Sequence, residues 1–148
     1  MEIKFNTATR HRPEGDRIMD APLVTIDLVS IIKQIKKEKK WRRSDRNAIT
    51  VFKTIGMRIV LIAMRKDGEM VKSTANGKIS IQVLKGKLQF NTNEQSVKLN
   101  KGQMLALHEG LPHRILAQKK VIFLLTLTTE FKKHNNEVKN DPTKQPIL

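Results

Sequence analysis

Residues 102–117 read GQMLALHEGLPHRILA and hold two of the four histidines of this 148-residue chain. Two short apolar segments, at 104–107 and 113–117, flank a polar break that contains Gly110 and Pro112. Short apolar segments on either side of such a break are typical of two β-strands joined by a turn. His108 and His113 stand at the ends of these strands and are the candidate metal ligands of the stretch.

The strand-like pattern reaches back to residue 48 and forward to residue 128. Its segments, rich in valine, isoleucine, leucine and threonine, are AITVFKT, MRIVLIAM, GKISIQVLKGKLQF, SVKL, MLAL, HRILA and VIFLLTLT. Turn signals separate them at Gly56, Lys66-Asp67-Gly68, Asn76-Gly77, Gly86 and Lys101-Gly102. Seven or eight short strands with close turns favour a sandwich or barrel over a parallel sheet with crossover helices.

An amphipathic helix is predicted before the strands, over residues 26–40. Thr25 or Asp27 can cap its start. We expect its apolar stripe to dock on the barrel, with Trp41 packed where the helix meets it. The stripe consists of Leu28, Ile31, Ile32 and Ile35, which follow the three-and-four spacing of one helix face.

The length of the chain predicts one domain with a core of its own. We assign residues 23–128 to that domain, residues 1–22 to an irregular N-terminal arm, and residues 129–148 to a polar, flexible C-terminal tail. No apolar run is long enough to span a membrane, cysteine is absent, and the N-terminal residues mix both charges. These features predict a soluble, cytoplasmic protein.

The chain is strongly basic, with a formal net charge of +15. The densest positive segment, residues 33–46, holds eight basic and two acidic residues. Such a surface either keeps the protein soluble or attracts nucleic acid or acidic lipid. Aromatic residues are only 4%, so no platform for stacking bases is evident. The basic patch consists of Lys33, Lys36, Lys37, Lys40, Arg42 and Arg43.

The opening stretch, followed by VIFLLTL, resembles the second conserved motif of the cupin (RmlC-like) superfamily. Gly102, Gly110 and His113 fall on the two glycines and the histidine of that motif. His108 replaces its proline and Ala117 its asparagine. Residues 57–88 resemble the first cupin motif, with Gly86 on its closing glycine. The similarity covers roughly residues 23–127 and implies an all-β, jelly-roll-like double-stranded β-helix barrel with one N-terminal helix.

Metal-binding cupins supply two histidines and a glutamate from the first motif and a histidine from the second. Counted back from Gly86, the glutamate position falls on Ile79. The histidine positions fall on Ser73 and Ala75, or on Lys72 and Thr74 with the longer spacing. Only His113 remains of the four ligands. A divalent ion needs three or four converging donors, so no metal site is expected; if one exists, His113 and His108 are its candidates.

The resemblance also implies which side chains point into the barrel. A small organic ligand with a carbonyl or carboxylate group would be oriented there by His113, although the same side chains also describe a filled core. No catalytic residue is assigned. The candidate ligand-binding residues are His113, Ser73, Ile79, Ile81, Val83 and Ile115, with Ala75 and Ala117 on the same inner face.

These features favour a small, metal-free cupin-domain protein that binds a small molecule or a protein partner in or beside the barrel. One alternative is a metal-dependent oxygenase or isomerase that uses His113 and His108 with a divalent iron, manganese, nickel or zinc ion. A second alternative is a basic accessory protein that binds nucleic acid through the basic patch. A homodimer is expected, because cupin barrels of this size often pair and exposed sheet edges favour pairing.

Overall fold

The structure is a computed structural model that describes residues 3–72 and 77–129. The strands are β1 (Lys4–Asn6), β2 (Arg17–Asp20), β3 (Arg46–Thr54), β4 (Met57–Met64), β5 (Glu69–Lys72), β6 (Gly77–Lys85), β7 (Lys87–Thr92), β8 (Ser96–Asn100), β9 (Met104–Leu107), β10 (His113–Ala117) and β11 (Val121–Thr129). Two helices, α1 (Leu28–Lys37) and α2 (Lys39–Arg43), lie between β2 and β3. In these two ranges, no helix has the length and apolar character needed to cross a membrane.

Two antiparallel sheets form the body of the protein. One sheet has the order β3-β4-β11-β6-β9 and the other the order β5-β10-β7-β8, while β1 and β2 form a separate two-stranded sheet. Between β3 and β11 the described chain changes sheet at six of the eight connections, and only β3–β4 and β7–β8 stay within one sheet. Gly86 lies at the change between β6 and β7. This exchange of strands between two facing sheets is the arrangement of a jelly-roll barrel, which confirms the predicted all-β fold class.

The main core lies between the two larger sheets. Along β6 and β10 the buried positions alternate with outward ones, because successive side chains of a strand point to opposite faces. The buried members of this core are Ile62, Met64, Ile79, Ile81, Val83, Leu88, Phe90, Leu99, Ile115, Ala117, Val121 and Phe123. The inner faces thus supply large aliphatic and aromatic side chains from both sheets.

A second core lies between helix α1 and the outer face of the five-stranded sheet. Ile35 is fully buried there, with Ile31 and Ile32 packed beside it, and the strands supply Ile49 and Leu61. The predicted docking of the apolar stripe on the barrel is therefore confirmed. Trp41 is also confirmed at this junction, where it is 6% exposed.

The helical region differs from the single helix predicted over residues 26–40. Asp27 caps α1 by accepting a hydrogen bond from the Ser30 amide, but the helix ends at Lys37. Glu38 has extended backbone angles, and its carboxylate binds Arg12 at 2.8 Å and the Asn47 side-chain amide at 2.9 Å. These buried polar contacts fix Glu38 toward the arm and strand β3, so the helix breaks there and α2 starts in a new direction.

The arm also differs from the irregular segment predicted for residues 1–22. It contains β1 and β2, whose pairing places Phe5 opposite Ile18. Arg12 and Arg17 tie the arm to β3 by donating to the carbonyl oxygens of Ala48 and Thr50, at 2.9 and 2.7 Å. Long-range arginine contacts of this kind leave no periodic signal in the sequence. Most of the predicted tail, residues 130–148, lies outside the described residues.

Candidate ligand-binding cleft beside the barrel

A cleft of about 350 Å³ opens at one end of the four-stranded sheet, where β5 and β7 end and β10 begins. The antiparallel register places His113 opposite Thr92, and Arg114 opposite both Asn91 and Val71. A volume of this size suits a small organic molecule. The walls include Val71, Asn91, Thr92, Asn93, His113 and Arg114.

His113 is the most buried polar residue of the cleft, with 7% of its surface exposed. Its Nδ1 lies 3.1 Å from the carbonyl oxygen of Leu111, and its ring stacks on Phe90 with the centroids 5.2 Å apart. Because a carbonyl oxygen only accepts, Nδ1 carries a hydrogen, and in the tautomer with one ring hydrogen Nε2 is an acceptor. Nε2 has no hydrogen-bond partner among residues 3–72 and 77–129. The fixed ring therefore offers an acceptor to the cleft.

The other polar walls supply donors and positive charge. Asn91 accepts a hydrogen bond from the Ser96 hydroxyl through Oδ1 at 2.7 Å, which leaves its amide nitrogen as a donor. Arg114 carries a cation and forms an ion pair of 2.6 Å with Glu69. Both partners of that pair are exposed, so the carboxylate competes only weakly for the guanidinium. Asn91, His113 and Arg114 all line the cleft, although the buried His113 and the exposed Arg114 are successive residues of β10.

The predicted ligand-binding residues divide between the cleft and the core. Ile79 and Ile115 are buried in the main core, and Ile81 and Val83 expose no surface at all. A side chain without accessible surface borders no cavity wide enough for a water molecule, so the barrel is filled around these residues. His113 alone among the described candidates lines the cleft. Ser73 lies outside the described residues, and a ligand-binding role for these residues stays a prediction.

The described residues do not fit a metal ion. Ile79, at the glutamate position of the metal-binding pattern, is an alkyl side chain inside the apolar core. His113 lies in the four-stranded sheet, whereas His108 is an exposed residue after β9 of the other sheet. Within residues 3–72 and 77–129, no group of three or more histidine, aspartate or glutamate side chains is arranged to hold a metal. One imidazole alone leaves a divalent ion without most of its ligands.

The predicted basic patch spans both helices. Lys33, Lys37, Lys40, Arg42 and Arg43 are exposed, whereas Lys36 is half-buried. Partial burial lowers the pKa of Lys36, and the nearby charges of Lys85 and Lys120 lower it further. The arm adds Arg10 and His11 to the same surface, beside Lys39 of α2.

Sequence reasoning missed most of the cleft. From the sequence, Asn91, Thr92 and Asn93 were interpretable only as part of a polar loop, whereas Asn91 and Thr92 are the last residues of β7. Arg114 lies in β10, three strands later. Their proximity to His113 depends on the pairing of β7 with β10, two strands that are distant in the chain. The only local signal was the polar Asn-Thr-Asn sequence at the end of an apolar segment.

No family model matches the chain, and no curated protein matches it. Solved structures do. A cupin superfamily protein from Desulfitobacterium hafniense is 12% identical with a TM-score of 0.61, covering 86% of this chain and 99% of that chain. An RmlC-like cupin protein from Desulfovibrio desulfuricans is 22% identical with a TM-score of 0.51, covering 56% of this chain and 81% of that chain. A conserved protein of unknown function from Streptococcus pyogenes is 14% identical with a TM-score of 0.59, covering 77% of this chain and 94% of that chain.

Identities this low show a common fold and leave the chemistry of each site to its own residues. The order of the strands in two facing sheets and the likeness to these barrels lead to the same conclusion: the chain has the all-β, RmlC-like barrel fold of the cupin superfamily.

Proposed function

We propose that the protein is a non-catalytic binding protein for a small organic acid, and that the cleft around His113 is its site. The observation that carries this proposal is the fixed, nearly buried His113 ring on the wall of a cleft of about 350 Å³. Histidines that only fill space need no such opening. The filled barrel interior favours a site beside the barrel rather than within it.

The chemistry of the cleft selects the ligand class. Nε2 of His113 takes a hydroxyl or amine donor, because the hydrogen bond from Nδ1 to Leu111 fixes the tautomer of the neutral ring. Arg114 and the Asn91 amide take a carboxylate. A hydroxycarboxylic acid meets both demands within one small molecule. This replaces the expectation from the sequence that His113 itself orients a carbonyl or carboxylate group, because an acceptor nitrogen binds neither.

The test is calorimetric titration of the protein with pairs of acids that differ in one hydroxyl, such as malate and succinate. We expect the hydroxy acid to bind about tenfold more tightly, which corresponds to one good hydrogen bond of about 1.4 kcal/mol. His113→Phe keeps the ring and the stack on Phe90, and should remove that preference. Arg114→Gln should weaken both acids. The matched control is His108→Phe, because His108 is an exposed histidine outside the cleft. This variant should change neither the preference for the hydroxy acid nor the affinity for either acid.

Two results would contradict the proposal. If the two acids of each pair bound with equal affinity, Nε2 of His113 would not accept a hydrogen bond from the ligand hydroxyl. Near-stoichiometric iron, manganese, nickel or zinc that is lost in His113→Ala would favour the metal-dependent enzyme instead. A cytoplasmic location is part of the proposal, supported by a cysteine-free chain that needs no oxidising compartment.

A further inference from the structure

A second polar hollow lies between the N-terminal arm and helix α2 and, among the described residues, shares no lining residue with the cleft around His113. Its volume is about 650 Å³, and an adjoining hollow of about 370 Å³ continues it toward α1. No acidic side chain of the described residues lines the larger hollow, whereas Glu14 and Glu38 line the adjoining one. We call the two together the arm–helix groove; its basic residues are Arg10, His11, Lys37, Lys39, Lys40, Arg42 and Arg43.

The arm side of the groove is held in place. Arg10 and His11 form the tip of a turn closed by two backbone hydrogen bonds between Thr9 and Arg12, at 3.0 and 3.1 Å. The Arg12 guanidinium then donates to Glu38 at 2.8 Å and to the Ala48 carbonyl at 2.9 Å. This anchor is itself partly buried. The cations at the tip are therefore presented on a fixed support.

The helix side is fixed by Trp41. Its indole is 6% exposed, Arg65 lies 4.2 Å over the ring, and Arg65 donates to the Trp41 carbonyl at 2.8 Å. Because Trp41 occupies the buried position of this short helix, its neighbours in the chain point outward. Lys39, Lys40, Arg42 and Arg43 are exposed as a result.

No cation of the groove forms an ion pair within the described residues, although Glu14 lines the same groove and Glu38 pairs with Arg12. Every ion pair in residues 3–72 and 77–129 involves another arginine, namely Arg12, Arg46 or Arg114. Adjacent like charges on a fixed surface repel each other, and a bound polyanion relieves that repulsion. The groove exceeds the size of one phosphate group, and arginine forks match phosphate oxygens well.

We infer that the arm–helix groove binds the phosphate backbone of a nucleic-acid duplex without reading its sequence. No phenylalanine, tyrosine or tryptophan of the described residues lines the groove, so His11 is its one aromatic ring for a base to stack on. The apolar stripe of α1 is buried on the barrel, so this helix has no apolar face for a membrane. Pro13 is the only apolar wall among the described residues, whereas protein interfaces depend on aromatic and apolar anchors. The inference is independent of the cleft around His113.

The experiment measures fluorescence anisotropy of a labelled mixed-sequence DNA duplex, and of an RNA duplex of the same sequence, against salt. If about four phosphates are contacted, affinity should fall about 100-fold between about 50 and about 200 mM salt. The triple variant R10Q/K40Q/R43Q should bind more weakly and lose about three units of the salt slope. The cleft should keep its organic-acid affinity in this variant.

The matched control is K53Q/R58Q/K98Q, which removes three exposed cations from β3, β4 and β8. It lowers the net charge equally but leaves the groove intact, so its duplex affinity should change much less. Equal weakening in the two triple variants would overturn the inference in favour of the diffuse positive field. Binding of polyglutamate as tight as that of the duplex, and lost in the same groove variant, would also overturn it in favour of an acidic protein partner.

Discussion

Gly86 and Gly102 both have a left-handed backbone, with φ of 83° and 85°, yet their surroundings differ. A Cβ atom at Gly86 would collide with the carbonyl oxygen of Lys120, whereas one at Gly102 would meet nothing within 4 Å. Gly86 lies where the chain passes from β6 of one sheet to β7 of the other. Close packing of β6 and β7 against the Lys120 turn therefore requires glycine at this position.

The different surroundings of Gly86 and Gly102 predict different costs for alanine at the two positions. Gly102→Ala should lower the free energy of unfolding by about 1–2 kcal/mol, the strain of a left-handed alanine. Gly86→Ala should lower it by clearly more, because backbone atoms must move in addition. Urea unfolding of the two variants measures the difference, and equal losses would contradict the collision at Lys120.

His113 shows how far single residues could be interpreted before the fold was known. The resemblance to the second cupin motif implied that the His113 ring points inward, and the ring is nearly buried. Its partners were not predictable. The Leu111 carbonyl and the Phe90 ring meet it only after the turn closes and β7 pairs with β10.

At the scale of elements, periodic apolar segments were predictable and polar junctions were not. The alternation in GKISIQVLK and the stripe of α1 each correspond to a structural element, because each buries a regular apolar face. The break at Glu38 depends instead on Arg12 and Asn47, which are 26 and 9 residues away in the chain. Helix propensity favours a continuous helix there, and the buried polar contacts override it.

Helix α1 also has an unfavourable charge on its docking side. Burial against the barrel lowers the pKa of Lys36, and the charges of Lys85 and Lys120 lower it further. The folded state therefore disfavours the protonated amine relative to the unfolded chain. Stability rises with pH in the window between this lowered pKa and the ordinary lysine value, since the unfolded state there binds more protons. At neutral pH the penalty is fully present.

Lys36→Gln should consequently raise Tm at neutral pH, and its advantage should shrink as pH approaches about 10. Lys37→Gln is the matched control, because it removes the same charge from the next, exposed position. Thermal unfolding of both variants across this pH range measures the effect. The same pH-independent gain in both variants would show that Lys36 carries no special penalty.

For the whole molecule, the net charge of +15 acts on every association. It attracts a polyanion and repels a second copy of the same chain. Salt screens both interactions, so their salt dependences have opposite signs. The two predicted partners, a nucleic-acid duplex and a second protomer, can therefore be distinguished by ionic strength alone.

Among the sheet edges, β9 is the least protected against pairing. It ends the five-stranded sheet, its sequence MLAL has no charge, and Met104 is 60% exposed. The other edges of the two larger sheets carry charges that oppose pairing with another chain, namely Glu69 on β5, Lys98 on β8, and Arg46 and Lys53 on β3. If the predicted homodimer forms through a sheet edge, β9 is the edge that its composition favours.

Light scattering should therefore show twice the monomer mass, and the dimer should become more stable as salt rises, because salt weakens the repulsion between two strongly positive protomers. Met104→Lys places a charge on the β9 edge and should return the protein to the monomer. Val29→Lys adds the same charge at an exposed position of α1 away from any edge, and should leave the dimer intact. A monomer mass at every salt concentration would contradict the dimer, and disruption by Val29→Lys alone would contradict pairing through β9.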